Sequence, residues 1–475
     1  MASRPATRTT PTPVQDPPSA IVPELVDAGG RLPPFWDESV LFVANLLALF
    51  FGNEEETELL RAEVQGADTY GGRLVPILNL LFRGTRNQLL LERPPNPALI
   101  DYFGNELGLG LPEIQIVSHQ EYLELGRRLA EGQTPDATAL FRTNGATVMD
   151  GYVTDDTLST LARHVGLPTV SPREGSHRGN NKYLLHLALE SAGLPLFDTF
   201  FAESSAEVPE RLRRLRELGY RSGAVKSQLG ASGIGILKLP TEAGSAEAAG
   251  VPDMMFHEGP CLVQGWLEAG LQDITSISSP SVQLFLDHEH VFFYDVTEQL
   301  LRDDSVHQGN ESPPPYLDGQ SGLREELLRQ AGIAGRWLHE QGYRGTASVD
   351  FLVAHRQEGG APTVYVCEIN ARVTGATYPS VLARHFRPGG AWLMRNLRFA
   401  SPLAGPALLA RLRGADLLFR PDQSGGILPI NFNTGADGMV VKGQFLCLAS
   451  SPPDCPAMLQ AAGETLGVSW QQERD

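Results

Sequence analysis

From about Phe35 to Thr169, short apolar runs alternate with stretches whose apolar residues recur at three- and four-residue spacing. Val40–Val43 and Gln88–Leu91 read as buried strands, while Gln120–Glu131 and Asp155–His164 read as amphipathic helices. Strands that alternate with helices predict an α/β unit with a doubly wound parallel sheet over residues 35–170. A basic, turn-rich joint, Ser171-Pro-Arg-Glu-Gly-Ser-His-Arg-Gly-Asn-Asn181, leads from it into a helix expected at Lys182–Ala192. Beyond the joint lie a small unit, Leu194–Leu267, and strands near Ser281–Leu286 and Val291–Val296. A helix at Gly322–Gln341 and paired strands near Ala347–Ala354 and Thr363–Asn370 follow, giving an α+β region over 171–402. After Pro402 a helix (Ala407–Leu412) and two strands (Gly426–Phe432, Gly438–Leu448) predict a small α+β C-terminal appendage, 403–475. Residues 1–34 carry eight prolines and are expected to form a disordered tail.

Charge narrows the partners. The net charge of −18 over 475 residues argues against nucleic acid and against an anionic membrane surface, since both require a basic face. The basic residues are 34 arginines and only four lysines, Lys182, Lys226, Lys238 and Lys442, so each lysine is worth inspecting. Cys261, Cys367, Cys447 and Cys455 show no metal-binding or redox spacing and read as reduced, buried thiols. The first twenty residues hold no apolar signal segment, and the longest apolar run, Val40–Phe51, is broken by Asn45 and is shorter than the roughly 20 residues a membrane span needs. A cytoplasmic protein is expected.

Two constellations carry chemistry. In Gly223–Lys238 a β-rich stretch passes Lys226, turns through Gly230, Gly233 and Gly235, and re-enters a β-rich stretch. Glycines let backbone N–H groups face an anion, and a lysine at the edge adds a point charge for phosphate. The arrangement is neither a Walker A loop nor a dinucleotide fingerprint, because no Gly-Lys-Ser/Thr occurs and a strand, not a helix, follows. In the second, a hairpin centred near Gly359 would put Asp350 opposite Glu368, with Glu368, Asn370 and Arg372 on one face by two-residue alternation. Two carboxylates and an amide oxygen form the hard-oxygen set that Mg2+ prefers. A solvated strand face is the plainer alternative, but Phe351, Val366 and Ile369 mark the hairpin as buried.

Lys182 at a helix start, Lys226 with its glycine loop, Leu262-Val-Gln-Gly-Trp-Leu267, Gly342-Tyr-Arg-Gly, Val349-Asp350-Phe and Glu368-Ile-Asn-Ala-Arg372 follow in an order that resembles the ATP-grasp superfamily over residues 171–400. The whole chain most resembles the pheganomycin-type peptide ligases. The resemblance implies an ATP-grasp fold with ATP and Mg2+ as cofactors. It makes Lys182 and Lys226 the phosphate lysines and Gly230–Gly235, including Ser232 and Gly233, the loop over the triphosphate. Gln264, Gly265, Trp266 and Leu267 become the adenine-reading linker and Asp273 the ribose acid. Asp350, Glu368 and Asn370 are then the metal ligands, with Arg372 beside the transferring phosphate. Gly265 stands where a larger polar residue is common, Asp273 where glutamate is usual, and Ser348 where D-alanine-type ligases carry an arginine. That last task falls to Arg302, Arg344 or His307, with no choice among them.

The implied activity is ATP-dependent joining of a small-molecule carboxylate, that of an amino acid or related acid, to the amine of an amino acid or peptide through an acyl-phosphate with release of ADP and phosphate, and a homodimer is left open. Two rivals are a biotin-carboxylase-like enzyme, for which no Met-Lys-Met biotin site is present, and a non-catalytic ATP-binding regulatory protein. Other features read more plainly: Gly71-Gly72 as a turn, Arg211 to Arg216 as a solvated helix face, Trp266 as packing, and Glu298–Asn310 as either a substrate-facing stretch or a polar loop.

Overall fold

A computed structural model of the chain describes residues 21–26, 36–63, 67–133, 141–231, 233–242, 250–302, 306–320, 322–357 and 360–468. The N-terminal unit is a four-stranded parallel sheet in the order Glu113–Ile116, Gln88–Leu91, Val40–Val43, Val148–Gly151. Its crossovers include the helices Glu54–Glu63 and His119–Ala130, and the helix Asp156–Val165 follows its last strand. His119–Ala130 begins at a capping box between Ser118 and Glu121, and Asp156–Val165 ends at Gly166 in the left-handed region, so local chemistry sets both boundaries.

The small unit is an antiparallel sheet ordered Thr199–Ala202, Cys261–Gly265, Ser222–Ala231, Ile234–Pro240, backed by the helix Val208–Glu217. Ser222–Ala231 and Ile234–Pro240 form the glycine hairpin. The joint is more ordered than its composition suggests: Arg173–Gly179 is a short helix directly before Lys182–Ser191. Gly175 and Gly179 permit it, since a side chain there would strike the backbone of Gly342 and Tyr343 or the side chains of Leu338 and Ala371.

Among the described residues the large sheet has ten strands. Its path runs Ile274–Ser278, Gly345–Arg356, Pro280–Leu286, Val291–Arg302, Val306–Ser312, Ala391–Leu403, Val440–Ala449, Gly426–Thr434, and Thr363–Asn370 pairs with Gly345–Arg356. The helix Leu323–Glu340 covers one face over a core that includes Val282, Leu284, Leu327, Val349 and Phe351.

Two expectations are corrected. The C-terminal segment is not an appendage: Val440–Ala449 pairs with Ala391–Leu403 across the expected boundary at 402, and Ile427, Phe432 and Phe445 share one core with Phe42, Leu74 and Leu89 of the N-terminal unit. Nor is the proline-rich stretch wholly without structure, because Glu24–Leu25 pairs in parallel with Val291–Arg302 and Val26 N–H donates to Phe293 O at 2.8 Å. Most of that stretch lies outside the described residues.

Candidate active site

The hairpin Gly345–Arg356/Thr363–Asn370 has the register the sequence suggests, with Asp350 opposite Glu368 and Ser348 opposite Asn370. Across the other edge Ser281 lies opposite Asp350. The Ser281 and Ser348 hydroxyls both donate to Asp350 Oδ1, at 2.6 and 3.1 Å, and Asn370 Nδ2 donates to Asp350 Oδ2 at 2.8 Å. Burial and the Glu368 charge push the Asp350 carboxyl up. Burial acts on Glu368 in the same sense, but Lys182, Arg372 and Lys226 together hold it down. Lys182 Nζ lies 3.2 Å from Glu368 Oε2.

Two adjacent half-buried carboxylates with an amide beside them are the donor set for Mg2+, and the raised Asp350 marks negative charge that a divalent cation would relieve. Asp350, Glu368 and Asn370 therefore fit the ion, once the Asn370 amide turns its oxygen inward.

These residues line a cavity of about 710 Å3 that also takes in Lys226, Gly233, Gln264, Gly265, Trp266, Leu267, His307, Asn310 and Arg372. A shallower basin of about 930 Å3, lined by Arg61, Glu92, His119 and Arg127 of the N-terminal unit, shares no lining residue with it. At the glycine hairpin, Gly233 and Gly235 adopt φ of 85° and 79°, which other residues rarely take. Lys182 Nζ would lie 3.3 Å from a side chain at Gly230, so Lys182 sits directly on the glycine loop. Lys226 points past Cys367, its Nζ 3.9 Å from the sulfur. Lys238 stands 4.3 Å from the Trp266 ring centre, so Trp266 serves the cleft wall as well as packing. Ser232 lies outside the described residues.

The linker departs from expectation in detail. Gly265 and Trp266 N–H donate to Asp198 O and Ser222 O, so any adenine edge read by backbone N–H falls beyond Trp266. Gly265 is glycine because a side chain there would meet the Tyr220 ring at 2.3 Å. Asp273 is not brought to the cavity: it is exposed on a turn, with φ of 65°. Glu268 lies at the rim instead, paired to Arg221 at 2.6 Å.

The stretch Glu298–Asn310 includes parts of two antiparallel strands, and Glu298, Gln299, Leu301, His307 and Asn310 face the cavity. Burial pushes His307 down to about 4, and its Nε2 donates to Asn310 Oδ1 at 2.6 Å, so it is a neutral donor at neutral pH. Arg344 is turned away, its guanidinium donating to His339 O and Tyr343 O. Arg302 ends its strand, with its side chain outside the described set.

Three contributors escape a reading by motif. Asn180, in the joint, accepts from Arg372 Nη1 at 2.7 Å and from Ala371 N–H at 3.1 Å, which fixes the arginine's direction. Glu56, from the N-terminal unit, accepts from Ser227 Oγ at 3.2 Å beneath the glycine hairpin, and burial pushes it up to about 7. Arg73 reaches the cavity from the turn holding Gly71-Gly72, which is a 3-10 helix, Ala67–Leu74.

No family model matches the chain. The chain is 25% identical over 290 residues to the butirosin acyl-carrier protein–L-glutamate ligase of Niallia circulans, a match that covers 60% of each chain. It thus spans about three fifths of that relative's length. Among solved structures it resembles the biotin carboxylase–β-γ-ATP complex of Campylobacter jejuni, with a TM-score of 0.57, 13% identity, and 90% and 92% of the two chains covered. It also resembles the N5-carboxyaminoimidazole ribonucleotide synthetase of Thermus thermophilus, with a TM-score of 0.55, 14% identity, and 91% and 99% covered. The chain has the ATP-grasp fold.

Proposed function

We propose that the protein is an ATP-dependent carboxylate–amine ligase. The carrying observation is one cavity on which the opposed Asp350/Glu368 pair with Asn370, the phosphate-side Lys226 and Arg372 converge, with Lys182 held against Glu368. In this reading a carboxylate oxygen of the acid attacks the γ-phosphorus of ATP and ADP leaves. The amine then attacks the acyl carbon, phosphate leaves, and the nitrogen loses its proton to give the amide.

Magnesium held by Asp350, Glu368 and Asn370 would neutralise phosphate charge. The chain's own part is positioning: Lys182 and Lys226 neutralise phosphate oxygens, and Arg372, aimed by Asn180, faces the transferring group. The glycine hairpin covers the triphosphate and excludes the water that would hydrolyse an acyl-phosphate. The likeness to the Niallia circulans ligase supports an amino acid or a related carboxylic acid as the acid and an amine acceptor, which can be carried on a protein. Among the described residues no helix is long and apolar enough to cross a membrane, and we place the activity in the cytoplasm.

The test supplies the protein with ATP, Mg2+ and pooled acids including L-glutamate and bicarbonate, together with amino acids, peptides and amine-loaded carrier protein. Mass spectrometry and nucleotide analysis read the result. Amide with ADP and phosphate is expected. AMP with pyrophosphate, or ADP formed only with bicarbonate, would overturn the proposal.

A further inference from the structure

The proposed ligase needs a cation for the carboxylate of its acid; of the residues considered from sequence, Arg344 is turned away and His307 is neutral, while the Arg302 side chain lies outside the described residues. Arg73 has what that task requires. Its side chain is buried, at 5% exposure, yet it lines the cavity. One face of its guanidinium lies 3.6 Å from the centre of the Tyr70 ring, and Nε has no hydrogen-bond partner. Among the described residues no carboxylate lies within ion-pair distance of it.

A buried cation without a counter-charge is costly unless an anion arrives to pair with it. Its surroundings leave room for one kind of anion. Tyr70, on which Arg73 is stacked, lines the same cavity as Arg372. Leu46, Leu49, Leu60 and Tyr152 line the same cavity, Tyr152 with its ring centre 5.9 Å from that of Tyr70, and the neutral His307, held down first by burial, is near enough for the Arg73 charge to add to that effect. The turn carrying Arg73 is fixed from outside, because Asn431 Nδ2 donates to Thr69 O at 3.1 Å and Asn433 Nδ2 to Thr69 Oγ1 at 2.8 Å. A side chain at Gly72 would meet Asn431 Oδ1 at 2.5 Å, so the turn seats flush on that strand.

We propose that Arg73 binds the carboxylate of the acid substrate in the cavity it shares with Arg372, and that Leu46, Leu49, Leu60, Tyr70 and Tyr152 accept an apolar or aromatic body on that acid. The assignment rests on the ligase reading and names its substrate class: monocarboxylic acids with an apolar body.

Equilibrium dialysis of the full chain with labelled phenylacetate, in the presence of Mg2+ and a non-hydrolysable ATP analogue, tests it. Phenylacetate should bind at least about tenfold more tightly than neutral phenylacetamide and more tightly than L-glutamate, since losing a buried ionic partner costs at least that factor. Arg73→Gln should lose about tenfold or more in phenylacetate affinity while analogue affinity stays within about twofold, and Arg73→Lys should fall between. Added guanidinium should restore phenylacetate binding to Arg73→Gln, a response that a purely structural arginine would not give. Wild-type affinity in Arg73→Gln, equal binding of the amide, tighter binding of L-glutamate, or no phenylacetate binding to the wild type would each overturn the assignment. Failure of the analogue to bind would instead strike the ligase reading and leave the phenylacetate comparison standing.

Discussion

Glu56 is a carboxyl group from the first helix of the chain placed under a loop more than 170 residues away. Its ordinary value is 4.5 and burial lifts it to about 7, so between those pH values the folded protein holds a proton that the unfolded chain has released. Folding stability at this residue is therefore full below about pH 4.5 and is lost as pH rises toward 7, at about 1.4 kcal/mol per pH unit at most. Glu56→Gln should remove that slope: the variant should match the wild type in urea melts near pH 4.5 and exceed it above pH 7. Parallel curves at both pH values would refute the assignment. For the residues proposed to hold magnesium and to face the transferring phosphate, Glu368→Gln and Arg372→Ala should each cut ADP formation by at least about a hundredfold, the cost of losing one preorganised charge, with the circular dichroism spectrum unchanged. Retained turnover in either variant would remove that residue from the site. Legibility divides along the same line. Asp350 and Glu368 could be placed from sequence because a hairpin's alternation fixes which residues oppose. Asn180 and Arg73 could not, since Asn180 acts through Arg372, 192 residues away, and Arg73 is one arginine among 34, its turn gripped by Asn431.

At the scale of elements, glycine positions decide whether the hairpin and the linker can approach. Gly235 has φ of 79°, and a side chain there would fall 2.2 Å from Ser227 Oγ and 3.1 Å from Glu56 Oε1. Gly235→Ala should destabilise the protein by about 1–3 kcal/mol and raise the KM for ATP, read by thermal melting and steady-state kinetics. Gly265→Ala would push on the Tyr220 ring, whose hydroxyl is tied to Asp198 at 2.8 Å, and should likewise weaken nucleotide binding. An unchanged KM in both variants would deny the hairpin and linker their role. Val40–Val43, Gln88–Leu91, His119–Ala130, Leu323–Glu340 and the Gly345–Arg356/Thr363–Asn370 hairpin are readable from period because they bury apolar residues at regular spacing, whereas Val306–Ser312, Ala391–Leu403 and Asp454–Leu466 are not among the elements that the pattern predicts. The helix Arg173–Gly179 is not readable either, since glycine, serine and arginine there mimic a turn, and only the close packing against Tyr343 and Leu338 makes the helix worthwhile.

At the scale of the molecule, the ten-stranded sheet makes the C-terminal segment part of the body. A chain ended at Pro402 would lose Val440–Ala449, one of the two strands that flank Ala391–Leu403, and the core residues Ile427, Leu428 and Phe445. It should unfold or aggregate at 25 °C by circular dichroism and sedimentation, whereas a soluble, cooperatively folded fragment would contradict the shared core. Composition could not reveal this continuity, because strand order in a sheet depends on pairings between segments far apart in the chain. The grip of Asn431 on Thr69 joins residues 362 apart. During synthesis at roughly 5–20 residues per second, the Arg73 turn would leave the ribosome roughly 20 to 70 s before the strand that seats it. The acid pocket is therefore among the last features of the nascent chain to be finished, and a ribosome that stalls ahead of Gly426 would release a protein able to form its hairpins but not its substrate arginine's seat.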